Sequence, residues 1–99
     1  MKQQAKLQIQ DNTLFVTGQI QFDTVMPLYQ ESQTLISLMK QIIIDLKNLE
    51  HCDSSGLALC TAWMRIAESQ NKSLHFTNVP SFMQDLIRVY GLESVLPIQ

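Results

Sequence analysis

The densest run of chemically useful groups in this sequence is His51-Cys52-Asp53-Ser54-Ser55-Gly56, which brings an imidazole, a thiol, a carboxylate and paired hydroxyls together. Such groups could serve a catalytic triad, a metal site, or a hydroxyl that accepts or meets an anion. A triad needs three side chains that converge in space, whereas adjacent residues point apart, so His51, Cys52 and Asp53 cannot form one by themselves. Ser54 also lacks a base supplied by its own motif, and no Gly-x-Ser-x-Gly elbow is present. Zinc would have to draw on His51, Cys52, Cys60 and His75, whose spacing lacks the Cys-x2-Cys signature. With three glycines in the chain and no Gly-x4-Gly-Lys, a phosphate-cradling loop is not expected. No catalytic residue, metal or cofactor is therefore expected.

The remaining chemistry is that of a hydroxyl at a helix mouth. Asp53-Ser54-Ser55-Gly56-Leu57-Ala58-Leu59 lies where a polar loop gives way to an apolar, helix-like run. Unpaired backbone N–H groups and the positive end of the helix dipole gather at such a point. A phosphate on Ser54 or Ser55 would add about −1.5 to −2 charges beside Asp53 and Glu50, enough to change a docking surface. The plainer reading is that Asp53 or a serine caps the helix, worth about 1 kcal/mol. Gly56 would let another backbone approach closely.

The elements that must position this corner follow from hydrophobic period. Leu7 and Ile9, then Leu14 and Val16 beyond the Asp11-Asn12 turn, alternate as two strands of a hairpin. Asp23 or Thr24 caps a first helix, which tolerates Pro27 in its first turn and carries Val25, Leu28, Tyr29, Leu35, Ile36 and Met39 to about Lys40. Gln41 to Leu46, with three consecutive isoleucines, reads as a central strand covered on both faces. Lys47 to Asp53 reads as a turn, and Leu57 to about Gln70 as a second helix. Leu74 to Phe76 forms a further strand from which His75 faces outward. Pro80 opens a third helix in which Phe82, Met83, Leu86, Ile87 and Tyr90 share one face, the first four of them as core, and which stops at Gly91. The tail from Leu92 is too short to be an element, although Val95 and Leu96 can pack. In the second helix Leu57, Cys60, Met64 and Ala67 share one face, while Leu59, Trp63 and Ile66 make a second apolar stripe. Either the neighbouring helix covers that stripe or it is a partner surface anchored by the chain's one Trp. The order predicts an α/β fold: a mixed, mostly parallel sheet of about four strands, an N-terminal hairpin and three or four helices.

Composition narrows the function classes. A 99-residue chain with 45% hydrophobic and 16% charged residues suits one globular domain, here 1–99. Its net charge of −2 offers no electrostatic footprint for a nucleic-acid backbone. The apolar stretches are far shorter than the roughly 20 residues that cross a bilayer, so no membrane insertion is expected. Met1 to Lys6 leads into alternating residues rather than an apolar signal core, which predicts a cytoplasmic chain whose cysteines stay reduced.

Nearly the whole chain resembles a STAS domain, through the hairpin ending in Gly18, the buried Ile42-Ile43-Ile44-Asp45-Leu46 strand and the Asp53-Ser54-Ser55-Gly56-Leu57 signature. Within that family it is most similar to the small cytoplasmic STAS subunits of Mla phospholipid-transport ABC complexes. The matches are Met26-Pro27-Leu28-Tyr29, Gly56-Leu57-Ala58-Leu59 and the ending Val95-Leu96-Pro97. The resemblance implies a non-enzymatic, bacterial subunit, held peripherally at the inner membrane by an ABC transporter ATPase and its permease, that helps maintain outer-membrane lipid asymmetry. It also implies a partner-binding corner of Asp53, Ser54, Ser55 and Gly56, with Leu59 and Trp63 as anchors. In the family's anti-sigma factor antagonists the serine after the signature aspartate is phosphorylated by an anti-sigma kinase, and that position falls on Ser54. The transporter subgroup carries a threonine there. Antagonists show Glu-Leu-Asp after the glycine of the second strand, whereas this chain has Gln19-Ile20-Gln21, so an amide replaces the usual acidic partner of the switch. The resemblance thus favours docking over kinase control.

Overall fold

The computed structural model describes residues 4–99. The expectation for Met1 to Lys6 therefore falls partly outside the described residues. The hairpin forms as β1 (Lys6–Gln10) and β2 (Thr13–Ile20), and Asp11 takes the positive φ of 57° that its tight turn demands. Then follow α1 (Val25–Ser37), β3 (Ile42–Asp45), β4 (Leu49–Cys52), α2 (Ser54–Ser69), β5 (Leu74–Thr77) and α3 (Ser81–Val89). β1 pairs antiparallel with β2, and β3 pairs parallel with both β2 and β5, so β3 lies inside the sheet as expected.

Among the described residues the sheet has five strands rather than about four, because Leu49–Cys52 is a strand and not a turn. Only Leu49 and Cys52 of this segment are buried, so neither alternation nor an apolar run marked it. The strand exists because β2 is long. Its first half pairs with β3 and its second half, from Gly18, with β4. The register shifts at Gly18, which has φ 87°, so that His51 rather than Glu50 meets Gln19 and Glu50 becomes the extra residue of a bulge. Asp45 holds the break between β3 and β4, accepting from the Lys47 N–H at 2.9 Å and from Asn78 Nδ2 at 3.1 Å.

Leu14, Val16, Ile20, Ile42, Ile44, Leu74 and Phe76 line the buried face of the sheet and Ile43 is only half-buried, so β3 is not covered equally on both faces. His75 is half-buried beside Ile43 in the register, on the outward face. α1 stops at Ser37, short of Lys40, where Lys72 Nζ donates to the carbonyls of Ile36 and Ser37 at 3.0 and 3.1 Å. A cation at a helix C-terminus satisfies orphan carbonyls and the dipole together. Met83, Ile87 and Leu96 join the core, whereas Val95 is exposed. The tail also runs beside β5: the Phe76 N–H donates to the Pro97 carbonyl at 2.9 Å, and Gln99 N–H to the Phe76 carbonyl at 2.8 Å.

Candidate functional site

α2 starts at Ser54, three residues before the apolar run, because Asp53 caps it. Asp53 Oδ1 accepts from the Ser55 N–H at 2.9 Å and from the Ser55 hydroxyl, while Oδ2 accepts from the Phe22 N–H at 2.9 Å. Partial burial pushes this carboxyl up, but the Ser55 hydroxyl, the backbone N–H groups of Phe22 and Ser55 and the nearby His51 outweigh it and hold it below the ordinary carboxylate range. The plainer expectation holds, since Asp53 is the cap, and Ser54 stands exposed on the first turn of α2.

The rest of the sequence-derived site turns inward. Ser55 is buried and spends its hydroxyl on Asp53. Gly56 admits a side chain, not a partner's backbone: a Cβ there would lie 2.8 Å from Cys52 Cβ and 2.9 Å from Cys52 Sγ. Leu59 is 2% exposed and Trp63 0%, which corrects the expectation that they anchor a partner. The neighbouring helix covers the second stripe, since an amphipathic helix packed between a sheet and another helix needs two apolar faces. Trp63 Nε1 donates to Ser32 Oγ of α1 at 2.8 Å, and Ser32 Oγ donates to the Tyr29 carbonyl at 2.7 Å. The indole is therefore a buried tie between α1 and α2.

A surface that the sequence reading missed lies beside Ser54. Phe22, Val25, Met26 and Tyr29 on one side, and Ser54, Ser55, Ala58, Leu59 and Ala62 on the other, enclose an open apolar groove of about 420 Å³ between the starts of α1 and α2. Leu59 contributes to its lining despite its burial. Phe22 is 82% exposed and Met26 59%, unusual for large apolar side chains so close together. A signal for them was present in the sequence: Leu28 and Ile36 supply the apolar core stripe of α1, which leaves Phe22 and Met26 without an inward role.

Both thiols are buried. Burial first, and Asp53 second, push the Cys52 thiol up to about 11, and Cys60 is pushed still higher by burial and by Cys52. The His51 ring stacks on Phe82, with centroids 6.0 Å apart. Among the described residues no three His, Cys, Asp or Glu side chains converge on a metal-sized site, and no helix is long and apolar enough to cross a membrane. The corner can present a hydroxyl and an apolar trough to another surface.

Comparison with known proteins agrees with that reading of the fold. A family model described as MlaB, STAS domain, matches residues 4–97. The intermembrane phospholipid transport system binding protein MlaB of Haemophilus influenzae is 30% identical, over 81% of this chain and 80% of that protein. A chain of the Acinetobacter MlaFEDB complex in an ATP-bound conformation superposes with TM-score 0.78 at 33% identity, covering 90% of this chain and 95% of its own. An anti-sigma factor antagonist from Mycobacterium paratuberculosis shares the fold at TM-score 0.75, with 20% identity over 95% of this chain and 82% of its own. The hairpin, the buried strand, the capped Asp53-Ser54 corner and a match across almost the whole chain all lead to one assignment: the chain belongs to the MlaB STAS-domain family.

Proposed function

We propose that this chain is a non-enzymatic STAS subunit, one domain over 1–99, that docks on the ATPase of a phospholipid-transporting ABC complex. It would sit peripherally at the inner face of the inner membrane and help to maintain outer-membrane lipid asymmetry. The observation that carries the reading is the exposed Ser54 hydroxyl at the rim of an apolar groove walled by the exposed Phe22 and Met26. Two relatives support the transporter: the Haemophilus protein is named for phospholipid transport, and the Acinetobacter chain belongs to MlaFEDB. A rigid partner can raise an ATPase's activity without chemistry of its own by binding one conformation better than another.

The test is co-purification with the ATPase and permease from the native host. Ser54→Arg places a bulky cation on the rim, and Phe22→Asp a charge on the wall. Each should weaken recovery by about tenfold or more, as loss of an interface anchor does, while circular dichroism stays native. Wild-type recovery with both variants would refute the docking site. The exposed Ser54 also suits the second reading, an antagonist switched by an anti-sigma kinase. Against it, Gln21 Nε2 donates to Gln19 Oε1 at 3.2 Å, so amides occupy the positions where antagonists carry acids. Stoichiometric phosphate on Ser54, read by mass spectrometry of the native protein, would favour that switch.

A further inference from the structure

The strand-to-helix crossing at Asp53 is bonded both to the end of β2 and to the turn that follows it. The Asp53 N–H donates to the Ile20 carbonyl at 3.2 Å, continuing the β2–β4 ladder by one step. The next step would require a carbonyl from β4, but the chain has already turned into α2. The Asp53 carboxylate takes that place, and its Oδ2 accepts from the Phe22 N–H. Its Oδ1 meanwhile holds Ser55 at the start of α2. Phe22 has little else to fix it: its side chain is almost wholly exposed, and the turn that carries it closes through the Thr24 N–H and hydroxyl, which both donate to the Gln21 carbonyl. Asp53 itself is not among the groove's lining residues.

We propose that Asp53 is a positioning residue for the docking groove: one carboxylate clamps the Phe22 turn to the mouth of α2, setting partner affinity without touching the partner. The proposal rests on the docking reading above. Its physical basis is preorganisation, since an aromatic side chain on a turn that is already ordered loses less freedom when a partner covers it. A charged acceptor suits the task, because hydrogen bonds to a carboxylate are stronger than those between neutral groups.

Asparagine at this position separates the clamp from the cap. Asn caps a helix about as well as Asp. Its one oxygen is drawn to the side where the Ser55 N–H and hydroxyl both donate, which leaves an NH2 facing the Phe22 N–H. In Asp53→Asn, exchange of the Phe22 amide in the isolated full-length chain should quicken by about tenfold or more, with the Ser55 amide and the melting temperature nearly unchanged. Affinity for the ATPase should fall by roughly tenfold. In a Phe22→Ala background the same substitution should change affinity no further, because there is no ring left to position. An unchanged Phe22 amide, or equal losses of affinity with and without the Phe22 ring, overturns the clamp. Because amide exchange is read without a partner, it judges the clamp even if the wild-type chain fails to bind the ATPase, a result that would refute only the docking reading. Asp53→Ala removes cap and clamp together and should lower the melting temperature as well as quicken exchange; exchange as slow as in wild type would also overturn the proposal.

Discussion

Replacing Ser32 by Ala tests whether one buried hydroxyl joins the helices that wall the groove. Trp63 is fully buried and its indole N–H has Ser32 Oγ as acceptor at 2.8 Å. Without that oxygen a buried donor stands unsatisfied, which costs about 1–3 kcal/mol. Ala is a better helix former than Ser by about 0.5 kcal/mol, so the net loss should be about 1–2 kcal/mol. For a chain of this size that corresponds to a fall in Tm of roughly 5–15 °C. Trp63→Phe removes the donor and leaves a modest void, while the Ser32 hydroxyl still donates to the Tyr29 carbonyl at 2.7 Å; its cost is about 1–3 kcal/mol. In the double variant no donor is orphaned, so its loss should be smaller than the summed single losses by about 1 kcal/mol or more. Urea unfolding followed by far-ultraviolet circular dichroism measures all four proteins, since fluorescence disappears with the indole. Additive losses, or a Ser32→Ala chain as stable as wild type, would show that the hydroxyl does not tie α1 to α2.

Three further outcomes follow from the packing beneath the site. The buried thiols should resist iodoacetamide at pH 8 and react only as the chain opens. Since the folded Cys52 is pushed up to about 11 while an unfolded thiol ionises near about 8.5, its contribution is complete below the lower value and lost as pH rises through the higher one. Urea titrations from neutral to alkaline pH should therefore slope less in Cys52→Ala than in wild type, and parallel slopes would contradict this. Gly56→Ala should destabilise by about 1–2 kcal/mol in thermal melts, because the overlap with Cys52 Cβ at 2.8 Å outweighs the helix propensity gained. Adding Cys52→Ala should restore only part of the loss, as Cβ remains; a more stable Gly56→Ala chain would mean the helix moves freely over β4.

Local pattern was enough for much of this protein. The period of two in Leu7 to Val16, the isoleucine run of β3 and the helical stripes are each written within a few neighbouring residues, and the elements they mark formed with ends shifted by a few residues: α1 stops at Ser37 rather than Lys40, and α2 starts at Ser54 rather than Leu57. Strand β4 could not be read that way. Leu49–Cys52 carries no strand signal of its own and pairs only because β2 extends past β3 with a bulge at Gly18. The inward turn of Leu59 and Trp63 was likewise undecided by sequence, since the same stripe suits an interface or a helix neighbour, and the Ser32 acceptor lies 31 positions away. Phe22 and Met26 became a wall only when α1 was laid beside α2. Periodicity tells which faces of an element are apolar; it is the packing of distant elements that decides which of those faces is covered and which is left for another molecule.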